Sequence, residues 1–380
     1  MKKRILSAIL MLTLIVPLVS VNISADEPFT IDAKSGILME ASSGKVLYEQ
    51  NADEALPPAS VTKIMTLLLV MEAVDNGTLK LTDMIRTSTN ASSMGGSQIY
   101  LKEGEELSAE DMIKSVVISS ANDAALALAE HIAGREELFV SKMNEKAVEL
   151  GMKNTYFENT NGLDDTTEKH LTSARDIALM SAALIKHKKI LDYSSIWMDS
   201  IRDGAFGLTN TNRLIRFYKG ANGLKTGSTS KAGFCISATA ERDGMTLIAV
   251  IMGSPTRDIR NAEATKLLDY GFANYALYSI DAENMGDIKV LGGTSDSCPI
   301  YHSSFSCVIS SSDKDKIELI NEIKESTPAP IKKGDKIGII RVVNGDTELG
   351  TIDILCKKSV NKIDFFGIFM QIFRKFSLVE

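Results

Sequence analysis

The sequence predicts an α+β fold, an antiparallel sheet flanked by helices, followed by a second, small β-rich domain. Strand-like segments stand near residue 30 and again after residue 220, with helix-like segments between them. Beyond about residue 279 the chain breaks into short β-like pieces joined by Gly, Ser and Asp turns. Strands drawn from both ends of a domain close over the helices supplied by its middle. At 380 residues with 44% apolar content, the chain has material for one large domain and one small one.

The elements follow in order. Lys2-Lys3-Arg4, an apolar run from Ile5 to about Val21, and the small polar stretch Asn22-Ile23-Ser24-Ala25 have the form of a secretory signal over residues 1–25. A retained membrane anchor is the alternative, and either places the body of the protein outside the cytoplasmic membrane. Residues 29–50 read as a hairpin, with Phe29 to Ala33 and Gly36 to Met39 leading through Ser42-Ser43-Gly44 into Val46-Leu47-Tyr48. Pro57-Pro58 ends the extended chain, and the apolar stretch Ile64–Val74 stops at Asn76-Gly77 as a helix does. Ser108-Ala109-Glu110-Asp111 caps a helix carrying Met112, Ile113, Val116 and Val117. Further helices are expected from Asn122-Asp123 to Gly134, over about 136–150, and over 173–186 behind Ser173 and Asp176. Phe234–Ala240, the turn Arg242-Asp243-Gly244 and Met245–Met252 form an antiparallel hairpin, and a closing helix covers about 261–275. The main domain is thus expected over 26–278 and the small β domain over 279–357, including Lys336–Ile340 and the turn Asn344-Gly345.

The segment 358–380 has a separate pattern. Ile363, Phe366, Phe369, Met370, Phe373 and Phe376 recur at helical spacing beside Lys362, Arg374 and Lys375. This is an amphipathic helix suited to a membrane interface, interrupted by Asp364 and Gln371 and short of the roughly 20 apolar residues a span needs. A terminal helix docked on the small domain is the alternative.

Composition excludes several functions. A net charge of −7 and a pI near 5.4 provide no basic field for nucleic acid. His131, His170, His187 and His302 have no metal-ligand spacing, so no metal site is expected. Cys235, Cys298, Cys307 and Cys356 are too sparse for a disulfide framework. Cys235 reads as a core residue, and a Cys298–Cys307 bridge stays open.

The chemistry rests on three short runs. In Pro57-Pro58-Ala59-Ser60-Val61-Thr62-Lys63, a helix starting near Ser60 puts the hydroxyl and the amine on one face. A serine is a weak nucleophile until a neighbour takes its proton, and a lysine can do that only when burial or a second cation lowers its pKa. Lys225, in Gly223-Leu224-Lys225-Thr226-Gly227-Ser228-Thr229, is that second cation, and Gly227 has no side chain to block a substrate pairing with the strand. Ser120-Ala121-Asn122, on the turn between two helices, offers a hydroxyl to relay protons and an amide to hold a carbonyl. Taken singly, the plainer readings prevail: Ser60 as a helix cap, Asn122 as the cap of the next helix, and Lys225 as a surface lysine at a turn. Together, in this order on an exported chain, they form the Ser-x-x-Lys, Ser-x-Asn and Lys-Thr-Gly signature of penicillin-binding proteins and β-lactamases.

On these motifs, and on Gly96-Ser97, Asn161-Gly162-Leu163-Asp164, Ser173-Ala174-Arg175-Asp176, Lys231-Ala232-Gly233 and Leu267–Phe272, the chain resembles low-molecular-mass penicillin-binding proteins. These are the serine-type D-alanyl-D-alanine carboxypeptidases of peptidase family S11. The resemblance implies a β-lactamase/transpeptidase-like fold, no cofactor, and removal of the terminal D-alanine from peptidoglycan stem peptides ending in D-Ala-D-Ala. It also implies acylation by β-lactams and attachment to the outer face of the cytoplasmic membrane through the tail. It makes Ser60 the acylated nucleophile, Lys63 the base, and Ser120 and Asn122 the relay and orienting pair. Lys225, Thr226, Gly227, Ser228 and Thr229 become the substrate-binding strand, with the N–H groups of Ser60 and Ser228 as oxyanion hole. Arg260 falls where the family places an arginine for the terminal carboxylate; a solvated charge at a helix start is its alternative. Some family members have histidine at the position of Ser228, where only the N–H is required.

Overall fold

A computed structural model describes residues 29–165 and 167–377, without the side chains of Gln371 and residues 374–377. The segment 1–25, expected to be a signal, and the side chains of Arg374, Lys375 and Phe376 lie outside the described residues. Residues 29–31 have no regular structure, and the chain from Asp32 onward forms one unit.

Strands β1 (Ser35–Glu40) and β2 (Val46–Gln50) pair at one edge of a five-stranded antiparallel sheet. The other three are β3 (Ala221–Thr229), β4 (Gly233–Arg242) and β5 (Met245–Ser254), giving the order β2-β1-β5-β4-β3. The first strand begins at Ser35, later than the sequence suggested, because its partner β5 ends at Ser254, just past the Ser35–Met252 pair.

Alternation sorts the sheet into two faces. Ile37, Met39, Ile248, Val250 and Met252 join the helical core, while Leu38 and Leu247 face the closing helix α6 (Arg257–Asn274). Gly271 is a contact requirement there, since a Cβ on it would lie 2.5 Å from Leu247 Cδ1 and 2.8 Å from Leu38 Cδ2. The helix starts at Arg257, earlier than expected, because Thr256 caps it by accepting the N–H of Ile259.

The opposite face is covered by α1 (Lys63–Asp75), α2 (Ala109–Ile118), α3 (Asn122–Ala133), α4 (Glu136–Glu149) and α5 (Ala174–Leu184). The expected caps act as read: Ser108 accepts from Asp111 N–H and Ser173 from Asp176 N–H, and Gly134 ends α3 with φ +82°. In α1, Ile64, Met65, Leu67, Leu68, Val70 and Met71 are all buried. Each contributes about 1.5–3 kcal/mol by burial, so α1 is the interior post of the domain, and its first residue begins inside the protein.

A six-stranded sheet forms the C-terminal part. Its strands are β7 (Glu283–Leu291), β8 (Ser297–His302), β10 (Ile317–Ile323), β11 (Ser326–Pro328), β12 (Lys336–Asn344) and β13 (Thr347–Cys356). They lie in the order β10-β12-β13-β8-β7-β11 around their own cluster of Ile288, Ile300, Val342, Ile352 and Ile354. Beside it β6 (Tyr275–Ile280) pairs with β9 (Phe305–Ser310). All four cysteines are unpaired. Cys298 and Cys307 stand in different sheets, Cys298 beside Cys356, so the bridge left open above is not formed. Helix α7 (Phe365–Ser377) ends the described chain with Phe365, Phe366, Phe369 and Phe373 exposed.

Candidate active site

Pro57-Pro58 cannot enter a helix interior, and Ala59 after them takes a left-handed φ of +49°. The chain then makes one 3₁₀ turn, Ala59–Thr62, before α1 begins at Lys63. Side chains three apart eclipse in a 3₁₀ turn, which brings Lys63 Nζ to 3.0 Å from Ser60 Oγ. The sequence expected a helix here; the tighter turn gives a closer approach of the pair.

The surroundings of Lys63 decide its chemistry. It is fully buried, at the positive end of α1, and its amine donates to Asn122 Oδ1 at 2.6 Å and Asn161 O at 2.8 Å. Neither acceptor is charged. The nearby carboxylate of Asp123 is occupied with the N–H groups of Ile99, Leu101 and Ala124. Burial holds Lys63 well below the usual lysine value, the Lys225 charge pushes it lower, and Asp123 only partly opposes them. A neutral amine has two hydrogens, and with both on Asn122 and Asn161 its lone pair faces the Ser60 hydroxyl.

The second run stands between α2 and α3. Ser120 is nearly buried in a left-handed conformation, φ +64°, that few non-glycine residues adopt. That strain turns it into the cleft, where it lines the wall with Ser60 and Ser97. Asn122 is held by its N–H to Ser97 O at 2.7 Å and its Nδ2 to Gly95 O at 2.7 Å. Its carbonyl is therefore aimed at Lys63, and one amide hydrogen remains.

The third run is β3 itself. Lys225 is buried, donates to Thr226 O at 2.8 Å, and is brought down to about 7 by burial and by the Arg260 charge. Thr226 Oγ1 donates to Thr211 Oγ1 at 2.8 Å. Gly227 lets the strand approach the nucleophile, because a Cβ there would lie 2.7 Å from Ser60 N and 2.9 Å from Val61 N. Those are backbone atoms that cannot swing aside, so this glycine shapes the site by its lack of a side chain. Thr229 differs: its hydroxyl bonds the Asp164 carboxylate and accepts Ala232 N–H, and it is not part of the cleft wall.

Arg260, near the start of α6, is 3% exposed. Among the described residues its guanidinium bonds neutral partners only, Asn261 Oδ1 at 2.8 Å and Cys235 O at 3.4 Å, and burial lowers it to about 10. A buried cation without a carboxylate partner is a ready anion site. The alternative of a solvated surface charge is thereby set aside.

These groups open on one cleft of about 670 Å³ that Ser60, Ser120, Thr226, Gly227, Ser228 and Arg260 line together. The sequence did not reveal its far wall: Trp197, Thr209, Asn210, Thr211, Arg213 and Phe217. Asn210 and Asn212 shape that wall by bonding the backbone carbonyls of Ser194, Ile196 and Gly223. The run Thr209-Asn210-Thr211-Asn212, turn formers inside an otherwise folded domain, was the available signal.

A serine hydroxyl 3.0 Å from a buried amine whose charged form burial disfavours, beside a pocket lined by arginines, is an arrangement suited to a serine peptidase. The family pattern described as D-alanyl-D-alanine carboxypeptidase, peptidase S11, matches residues 21–256, and the chain belongs to that family. The C-terminal domain of penicillin-binding protein 5 matches residues 272–362. The D-alanyl-D-alanine carboxypeptidase DacF of Bacillus subtilis is 42% identical over 88% of this chain and 87% of its own length. Among solved structures, penicillin binding protein 5 from Haemophilus influenzae is 30% identical with a TM-score of 0.77, over 88% of this chain and 99% of that one. Penicillin-Binding Protein D2 from Listeria monocytogenes, solved in its ampicillin-bound form, is 33% identical with a TM-score of 0.60, over 65% of this chain and 100% of that one.

Proposed function

We propose that this chain removes the terminal D-alanine from peptidoglycan stem peptides ending in D-Ala-D-Ala, and that β-lactams acylate and inhibit it. The observation that carries the reading is Lys63, buried with no carboxylate partner among the described residues and 3.0 Å from Ser60 Oγ. The substrate carboxylate is held by Arg260, Lys225 and Thr226. Neutral Lys63 takes the Ser60 proton as Oγ attacks the penultimate carbonyl, and the N–H groups of Ser60 and Ser228 receive the developing oxyanion. Ser120, with Asn122 orienting the peptide, passes the proton to the departing nitrogen, the C–N bond breaks, and D-alanine leaves. Water then attacks the ester and gives one proton to Lys63; the acyl C–Oγ bond breaks, Lys63 returns that proton to Ser60 Oγ, and the shortened peptide leaves as its acid, so the net reaction consumes one water per peptide bond. Gly227 and Thr229 keep the strand and its following turn in place. No cofactor takes part.

A penicillin presents a strained amide and a carboxylate at the spacing of the dipeptide. Intact-mass measurement after incubation with benzylpenicillin, followed by peptide mapping, is expected to find one stable adduct on Ser60. Absence of both adduct and penicillin turnover would leave a non-catalytic relative as the better account, and release within seconds would indicate a β-lactamase.

The same reading divides the chain into a signal at 1–25, the peptidase domain at 26–278, the small β domain at 279–357 and a membrane-associating helix at 358–380. It places the enzyme on the outer face of the cytoplasmic membrane. The exposed phenylalanines of α7 support this, and no helix among the described residues is long and apolar enough to cross a membrane. The protein is expected to float with anionic phospholipid vesicles, and a form ending at residue 357 to stay in the dense fraction. Equal flotation of the two would remove the tail from the account.

A further inference from the structure

We infer that His170 and Thr62 are positioning residues that aim the Ser60 N–H by clamping the carbonyl of the Ala59–Ser60 peptide from behind. The inference rests on the oxyanion role given to that N–H above. Thr62 and His170 lie 108 positions apart and both are buried.

The hydrogen bonds allow one assignment of hydrogens. Glu158 N–H can only donate, and it reaches His170 Nδ1 at 3.0 Å, so Nδ1 accepts and the ring hydrogen is on Nε2. Nε2 lies 2.8 Å from Thr62 Oγ1 and therefore donates to it. The threonine hydrogen is then committed to Ala59 O at 2.9 Å. Burial keeps the ring neutral by lowering His170 to about 4, and Phe157 packs edge-on against it with ring centroids 5.7 Å apart.

The end of this chain is mechanistically placed. Ala59 C=O and Ser60 N–H belong to one planar peptide unit and point in opposite directions. Holding the carbonyl fixes the direction of the N–H, and a hydrogen bond to the carbonyl polarises the N–H toward a stronger donor. The unit needs holding, because Ala59 has φ +49° and nothing intrinsic to alanine favours that conformation. The loop that carries His170 also supports the turn directly. A Cβ at Gly162 would lie 1.8 Å from Ala59 O, so only glycine lets the loop back approach there. The same loop supplies Asn161 O to Lys63. Asn161 thus sets the base, and Gly162 and His170 support the oxyanion donor.

A donor used mainly in the transition state affects the chemical step more than ground-state binding. Thr62→Val keeps the shape and removes the hydroxyl; Thr62→Ser restores it without the methyl group. With benzylpenicillin, the acylation rate constant of Thr62→Val is expected to fall about 10- to 100-fold, below the loss for deleting an oxyanion donor outright, with the pre-acylation binding constant changed less than threefold. Thr62→Ser should recover to within about threefold of wild type, and His170→Gln, the second probe if Thr62→Val does not fold, should lose rate in the same step. Wild-type acylation by Thr62→Val and His170→Gln, a loss confined to binding, or a serine variant as slow as the valine would each overturn the inference. Failure of the wild-type protein to acquire the Ser60 adduct would instead refute the function on which it rests.

Discussion

Lys63→Met is expected to lower kcat/KM for D-alanine release by about a thousandfold or more, the upper range for a positioned proton acceptor. Methionine matches the lysine stem in length and apolar character, so the turn and the α1 start should survive. What disappears is the amine 3.0 Å from Ser60 Oγ. The variant also leaves Asn122 Oδ1 and Asn161 O without their donor, each a cost of about 1–3 kcal/mol. Against this, the wild-type protein has to keep a lysine buried in a medium hostile to its charge. The two effects oppose one another, and the melting temperature should move by only a few degrees while activity collapses. Release of D-alanine from a synthetic peptide, measured beside thermal melting, separates them. A loss under tenfold would show that another group takes the proton.

The sequence revealed the parts of this site that local chemistry constrains. Ser60 and Lys63 are three residues apart, and Ser120 and Asn122 stand at a helix start marked by Asn122-Asp123, so short-range spacing exposes both pairs. The hairpin of β4 and β5 and the caps at Ser108 and Ser173 were legible for the same reason. The far wall of the cleft was not. Trp197, Asn210 and Phe217 come from stretches too short and irregular for any periodicity, organised by buried asparagines bonding distant carbonyls. Thr62 and His170 were equally invisible, because a lone histidine without ligand spacing says nothing about a threonine far away in sequence. Gly227 was singled out for the room it leaves a substrate, whereas its backbone approach to Ser60 N is something that only the fold creates.

Lys225→Met is expected to move the acid limb of the kcat/KM profile to higher pH, besides lowering the plateau. The sign follows from which form of Lys63 works. The neutral amine accepts the serine proton, so activity rises with pH as Lys63 loses its own proton. Burial is the first cause of its low pKa and the Lys225 charge the second. Removing that charge leaves the first cause in place and eliminates the second, so protonated Lys63 persists to higher pH and the limb follows it. Since Lys225 itself titrates near 7, the wild-type limb belongs to the pair rather than to either lysine. Arg260→Gln provides the contrast. It removes a cation that depresses Lys225, so Lys225 stays charged over a wider range and continues to depress Lys63. Its penalty should appear as weaker substrate binding, without the upward move of the limb. Profiles of kcat/KM for the three proteins, taken with the same D-Ala-D-Ala peptide, decide the matter. An unmoved or lowered limb in Lys225→Met would mean that burial alone tunes the base and that Lys225 serves only the substrate's carboxylate.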